Sequence, residues 1–227
     1  MNEQDPIGFS TILASTIHDV KNSLSVVLSS LDELVRTAGD SLPAERLSKL
    51  QYEAQRVNHN LVQLLALYKM ENRGLAANID EYPVRDFLEE VLASEKVILK
   101  ARKIKLDFTC AADMAWYFDR DLVAGVLRNA VNNAIRYTKD AVLVTGEEKD
   151  GYLVLSVNDN GKGFPEGMLA GGAQRGHGVN FSSGNTGLGL YFTSRVAELH
   201  KNKDKKGCIE LTNGHALGGA CFSIKLP

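Results

Sequence analysis

Apolar residues in the first third of the chain recur at alternate spacings of three and four: Ile17, Val20, Leu24, Val27, Leu31 and Leu34, then Leu47, Leu50, Ala54, Val57, Leu61, Leu64 and Tyr68. That is the spacing of a seam between packed helices. It predicts a first helix over about residues 7–38, closed by Gly39, a residue that readily takes the left-handed conformation ending a helix. Asp40 or Ser41 caps the second helix, and Pro43 falls in its first turn, where a missing N–H does no harm. Two long helices joined by a short turn make an antiparallel hairpin. One such hairpin has too narrow a core to stand alone, whereas two related by a dyad close a four-helix bundle, so a homodimer is expected.

Residues 72–78, with Arg73, Gly74 and small side chains, read as a linker, and beyond them the period changes. Short strand-like runs near residues 79–84, 104–109 and 114–118 alternate with a helix at about 84–100, the mark of an α/β layer. A helix opening at Asp119 carries Leu122, Val126, Leu127, Ala130, Ala134 and Ile135 on its apolar face. Two strands at about 141–148 and 152–158 flank Lys149-Asp150-Gly151, a hairpin signal. Residues 163–186 are rich in Gly and Ser, and a loop of that length is usually functional or disordered. A helix at about 187–200 and strands near 208–212 and 220–226 end the chain. The expected organisation is a helical hairpin over 1–73, forming a dimeric four-helix bundle, followed by an α/β sandwich domain over 79–227.

Composition narrows the classes. The chain has 227 residues, room for one large or two small domains. It is 44% hydrophobic and 24% charged, as soluble globular proteins are. A formal net charge of -2 supplies no basic field for nucleic acid or anionic lipid. Cys110, Cys208 and Cys221 are odd in number and lack metal-ligand spacing, which points to free thiols in a reducing compartment. There is no basic start followed by an apolar core at the N-terminus, and no apolar run approaches the roughly 20 residues of a membrane span. A cytoplasmic protein without a membrane segment is expected.

Candidate chemistry lies in four stretches. In Ile17-His18-Asp19-Val20-Lys21-Asn22, His18 sits one position off the seam, beside the acid Asp19, with Asn22 stacked one turn on over the same face. In Asn129-Ala-Val-Asn132-Asn133-Ala-Ile-Arg136-Tyr137, Asn129, Asn133 and Arg136 share one helical face. Neutral amide oxygens suit Mg²⁺, a hard ion that keeps most of its water while bridging phosphates, and Arg136 adds a fixed positive fork for phosphate oxygens. In Asp159-Asn160-Gly161-Lys162-Gly163, at the end of a strand, a buried carboxylate can accept a hydrogen bond from an exocyclic amine, and the glycines let backbone come close to a base. In Asn185-Thr186-Gly187-Leu188-Gly189-Leu190-Tyr191, a glycine-bearing turn opens a helix whose unpaired N–H groups suit a polyphosphate. Each stretch alone has a plainer reading: a solvated histidine, surface asparagines, a strand-end turn, an ordinary helix start. Their order along one chain is what carries weight.

Taken together, the stretches resemble the catalytic core of a two-component sensor histidine kinase, whose ATP-binding domain belongs to the gyrase, chaperone, histidine kinase and mismatch-repair superfamily. His18 to Asn22 looks like its H box, Asn129 to Tyr137 its N box, Asp159 to Gly163 its G1 box and Thr186 to Leu190 its G2 box, and the ending Phe222-Ser-Ile-Lys-Leu-Pro227 is similar to the family's final strand. The resemblance implies that His18 accepts the γ-phosphoryl group while Asp19 takes or orients the proton on the other ring nitrogen. It implies ATP and Mg²⁺ as cofactors, with Asn133 the Mg²⁺ ligand, Asn129 its neighbour, Arg136 on phosphate and Tyr137 near the nucleotide. Asp159 reads the adenine amine with Gly161 and Gly163 beside it, and Thr186, Gly187, Leu188, Gly189 and Leu190 follow a lid formed by residues 163–186.

The sequence shows no sensor, transmembrane or receiver segment, the largest departure from the family, and departs from it at three residues as well. Phe181 alone stands for the aromatic position before the lid, Cys221 falls where many relatives carry a small hydroxyl residue, and Asn22 replaces a common threonine. The expected partners are a second copy of the chain and a response regulator receiver domain, and Asn22 suggests phosphatase action on that regulator. Seventeen residues precede His18, about 25 Å as helix, which is too little for a folded sensor and points to a separate sensor or regulatory protein. The alternative is a histidine phosphotransfer adaptor with an inactive ATPase-like domain. An ATP-driven clamp of the same superfamily lacks a place for the hairpin.

Overall fold

A computed structural model describes residues 76–96, 99, 102–169 and 188–227, together with positions 16, 19, 20, 22, 23, 26, 27, 29, 30, 33, 57, 60–64 and 66–70. The described residues divide into two compact units: those numbered up to 70 with 188 and 189, and residues 76–169 with 190–227.

Every described position between 16 and 33 and between 57 and 70 is helical, as the spacing predicts. The ends of both helices, Gly39, Pro43 and His18 lie outside the described residues. Seven of the thirteen seam positions lie outside the described residues. Thr16 and Ser23 are buried while Val20 and Val27 are only half-buried, and on the second helix Gln63, Leu67 and Met70 are buried while Leu61 and Tyr68 are exposed. Among the described residues the buried sets follow helical spacing but stand one or two positions away from the seam. Period alone finds a stripe, and which flank of a broad apolar stripe is covered in one chain depends on tertiary packing.

In the second unit the strands are β1 (Asp80–Pro83), β2 (Lys105–Cys110), β3 (Ala115–Phe118), β4 (Ala141–Lys149), β5 (Tyr152–Asp159), β6 (Lys201–Asn202), β7 (Lys205–Lys206), β8 (Cys208–Asn213) and β9 (Ala220–Leu226). The helices are α1 (Val84–Ala93), α2 (Arg120–Tyr137), α3 (Glu166–Leu169) and α4 (Leu188–Leu199), the last with its first two residues grouped in the first unit. A five-stranded sheet runs β2-β4-β5-β9-β8, with β2 and β4 parallel and the other neighbours antiparallel; β1 pairs with β3, and β6 with β7. The central strand β5 reads Tyr-Leu-Val-Leu-Ser-Val-Asn-Asp and is buried from Leu153 to Asp159. The Ser156 hydroxyl meets that of Ser223 across the β5–β9 pair at 2.8 Å, so burial leaves neither unsatisfied.

α1 and α2 pack against each other and on the sheet. Phe118 is wholly buried, with the Phe87 ring edge-on at 4.9 Å and Tyr82 at 5.4 Å between centroids. The predicted helix at 84–100 is regular only to Ala93. Ser94 turns its hydroxyl back to the Val91 carbonyl at 2.8 Å and Glu95 N–H reaches Leu92 O, a tighter turn that interrupts the helix. The β4–β5 turn has Asp150 at φ 54 and Gly151 at φ 71, the two left-handed residues a tight hairpin needs. Two elements go beyond the sequence expectations: the hairpin β6–β7, turned by Lys203 at φ 53, and the single-turn helix α3 inside the Gly-rich stretch. Lysine is no turn signal, which is why the first escapes a reading by residue type. Among the described residues no helix is long and apolar enough to cross a membrane.

Candidate nucleotide site

α2 is started by Asp119, whose Oδ1 accepts the Leu122 N–H at 3.0 Å. Its Oδ2 accepts the Asn78 N–H at 2.7 Å, and its own N–H donates to His200 Nε2 at 3.0 Å. His200, 2% exposed, is held as a neutral ring: Nε2 accepts that proton, so Nδ1 carries the hydrogen and donates to Val196 O at 2.8 Å. Burial pushes its pKa below the ordinary histidine value. The N-terminus of α2 is thereby tied to the end of α4, and the Phe192 ring lies against Gly125 further along.

One face of α2 is buried from Val123 to Ile135; Asn129 is half-buried, and Asn133, Arg136 and Tyr137 are exposed. The Arg136 guanidinium sits 5.4 Å from the centre of the Tyr137 ring. Helical spacing places Asn129, Asn133 and Arg136 along one side, as expected.

Asp159 closes β5 and is 5% exposed. Its Oδ1 accepts the Gly161 N–H at 2.7 Å and the Ala220 N–H at 3.3 Å, and neither bond uses Oδ2. Backbone crowds this carboxylate. A Cβ on Gly161 would stand 2.2 Å from Tyr137 O, and one on Gly219 would stand 2.5 Å from Asp159 O and 2.6 Å from its Oδ1. Both positions therefore require glycine for close approach. The Gly161 contact joins the end of α2 to the end of β5, so Tyr137, Asp159 and Gly161 come together, which neither stretch shows alone. Gly163, at φ 81, lies against the Asn213 amide, which accepts the Phe164 N–H at 2.7 Å and donates to Phe164 O at 2.9 Å.

Leu188, Gly189 and Leu190 form the first residues of α4, with Leu188 buried. Asp19 is half-buried and Asn22 exposed, both helical. His18, Phe181, Asn185, Thr186 and Gly187 lie outside the described residues, as does the lid expectation beyond residue 169.

Asn213 and Gly219 escaped the reading by motif, and Asn160, inside the Asp159–Gly163 stretch, was given no role by it. The Gly218-Gly219 pair before the final strand was the one available signal. Cys221 pairs with Asn158, and its Sγ is 3.7 Å from Ser223 Oγ. Alternation along β9 therefore sets Cys221 on the sheet face opposite Asp159, and Ala220 is the β9 residue beside that carboxylate. Burial raises the pKa of the Cys110 thiol, which belongs to the sheet edge and not to this site. Among the described residues no group of three or more His, Cys, Asp or Glu side chains could hold a metal ion.

Residues 118–227 match the family described as histidine kinase-, DNA gyrase B-, and HSP90-like ATPase. The sensor protein SrrB of Staphylococcus aureus is 26% identical over 225 residues, covering 95% of this chain and 37% of that protein. Among solved structures, the Acinetobacter baumannii histidine kinase AdeS is similar over 92% of this chain and 96% of its own, with a TM-score of 0.62 at 22% identity. The catalytic domain of histidine kinase ThkA is similar over 66% of this chain and 95% of its own, with a TM-score of 0.56 at 24% identity. The α/β unit shares the fold of these kinases. Residues 118–227 thus carry a domain that matches the histidine kinase-, DNA gyrase B-, and HSP90-like ATPase family, in a chain similar over most of its length to histidine kinases.

Proposed function

We propose that the chain acts in a two-component system, transferring the γ-phosphoryl group of ATP to His18 and passing it to an aspartate of a response regulator. The observation that carries the ATP half of this reading is Asp159, a buried carboxylate whose Oδ1 is fixed by two backbone N–H groups. Such a group suits an adenine exocyclic amine, which donates hydrogen bonds and must be distinguished from water in a confined site.

His18 is the proposed nucleophile. One ring nitrogen forms the N–P bond as the bond to the β,γ-bridging oxygen breaks and ADP departs, while Asp19 takes or orients the proton on the other nitrogen. Arg136 faces phosphate, Asn133 supplies an amide oxygen for Mg²⁺ with Asn129 beside it, and Thr186, Gly187, Leu188, Gly189 and Leu190 lead into the helix whose start holds the phosphates. The donor set fits the ion: amide oxygens on α2 suit a cation that keeps most of its water. Bound Mg²⁺ supplies charge neutralisation between phosphate oxygens.

Dimerisation through the helical hairpin is part of the proposal. Val26, Leu61, Val62 and Tyr68 are exposed in the single chain, apolar surface that a second copy related by a dyad would cover. The domain limits follow the same scheme, a phosphotransfer hairpin over 1–73 and a catalytic domain over 79–227. The receiver domain of a regulator docks on the hairpin near His18, and a separate sensor or regulatory protein is a further partner. The test is incubation with γ-labelled ATP and Mg²⁺. Acid-labile, base-stable label on the wild type and none on His18→Gln is expected; equal label on both would discard the assignment.

A further inference from the structure

Asn160 follows Asp159 and makes its contacts away from the proposed base site. Its Oδ1 accepts from the N–H groups of Lys139, Asp140 and Ala141 at 3.1, 3.2 and 3.2 Å, and lies 2.7 Å from the Thr138 hydroxyl. Its Nδ2 donates to Asp140 Oδ1 at 2.7 Å. All these groups belong to the turn that joins α2 to β4. The Thr138 hydroxyl is also 2.7 Å from Ala141 O, so its single proton serves one of two acceptors at a time. Even so, the backbone donors of an entire turn converge on one amide oxygen, and no other side chain of the strand-end loop reaches that turn in the described contacts.

The turn is where the two halves of the proposed site meet. Arg136 and Tyr137, the last residues of α2, immediately precede it, and Asp159 immediately precedes Asn160. The β4–β5 register sets Asp159 opposite Val142, five residues past Tyr137, which brings the strand end near the end of α2 but leaves the turn over residues 138–141 to fix their final separation. Two local contacts act there: the Asn160 amide on the turn, and the passage of Gly161 beneath Tyr137 O.

We propose that Asn160 is a positioning residue that sets the distance between the Asp159 carboxylate and the phosphate-facing end of α2, so that a nucleoside di- or triphosphate is held at both ends at once. The inference rests on the nucleotide reading above and adds to it a residue that itself touches no nucleotide. Its consequence is specific. Adenosine engages one end and needs little from the spacing; ADP engages both and gains from it as a linked pair of contacts gains from correct geometry.

The experiment is calorimetric titration of the full chain with adenosine and with ADP plus Mg²⁺, each variant held well below its melting temperature. The ratio of the two dissociation constants measures what the diphosphate adds. In Asn160→Ala that ratio should fall about tenfold, with ADP weakened far more than adenosine, the size of a coupling between adjacent groups. A lower melting temperature with an unchanged ratio would show a merely structural residue and overturn the proposal. Should that variant fail to fold, Asn160→Asp decides: it keeps the acceptor oxygen but sets a second carboxylate against Asp140, so the ratio should drop. Adding Asp140→Asn exchanges donor and acceptor across the same contact and should restore it. A double variant as low as the single one would end the idea. Wild-type protein that binds neither ligand would remove the nucleotide reading, and this inference with it.

Discussion

The backbone N–H of Asp119 donates to Nε2 of His200 at 3.0 Å, joining the first residue before α2 to the residue after α4 across most of the domain's sequence. The bond requires a neutral imidazole, since a proton on Nε2 would set two donors against each other. Burial, the leading cause, lowers the folded-state pKa from the ordinary 6.5, and the Val196 carbonyl and Asp119 act against it. The stabilisation of the neutral ring is therefore complete above 6.5 and lost as pH falls below it toward the folded value, because the unfolded chain takes up a proton that the folded one refuses. The contribution changes by at most about 1.4 kcal/mol per pH unit in that window. Denaturant unfolding of the wild type and His200→Gln across it should show a steeper loss in the wild type; parallel curves would mean that His200 titrates normally.

Asp159→Asn preserves an Oδ1 able to accept from Gly161 and Ala220 but replaces Oδ2 with an amide donor facing the proposed base amine. Folding should be nearly unchanged while affinity for a non-hydrolysable ATP analogue falls about ten- to a hundredfold, the loss of a charge-assisted bond worth roughly 1.5–3 kcal/mol. Asn133→Ala should keep much of that affinity and abolish Mg²⁺-dependent label transfer. Calorimetry on both variants reads the difference, and full binding by the Asp159 variant would refute its role.

Gly219→Ala tests the crowding at the carboxylate. The added carbon would fall 2.5 Å from Asp159 O and 2.6 Å from both Gly161 N and Asp159 Oδ1, two of them backbone and the third held by two backbone N–H groups. A loss of about 1–3 kcal/mol in stability, with weakened nucleotide binding, is expected. Gly167→Ala in α3 meets nothing within 4 Å and serves as the control, neutral or slightly stabilising by helix propensity. Thermal melts of the two variants should separate clearly.

Asn22 is exposed on its helix, one turn from His18 in sequence. If it orients the water that attacks a regulator's phosphoaspartate, purified phospho-regulator should decay more slowly with Asn22→Ala than with the wild type, and His18→Ala should leave that decay largely in place. Identical decay with and without the amide would remove the phosphatase assignment.

Most strands of the α/β domain and its helix from Arg120 were legible in the sequence to within a few residues because these elements bury regular faces, whereas the early end of α1 and the β6–β7 hairpin were not. Asp119 as a cap, the β4–β5 turn at Asp150-Gly151 and the continuous apolar run of β5 are local signals, each set by backbone preference or by the period of burial. The order of the motifs along the chain likewise resembles that of one superfamily. Tertiary structure alone decided three things. It joined Tyr137 to Gly161 and Asp159, which lie far apart in the chain. It assigned Asn160 and Asn213 to the support of the loop, because an asparagine's partners are backbone groups that sequence leaves anonymous. It also set Cys221, paired with Asn158, on the sheet face opposite Asp159. Sequence carries the periods that make elements, whereas the phase of each element against its neighbours is settled only when their surfaces compete for the same interior.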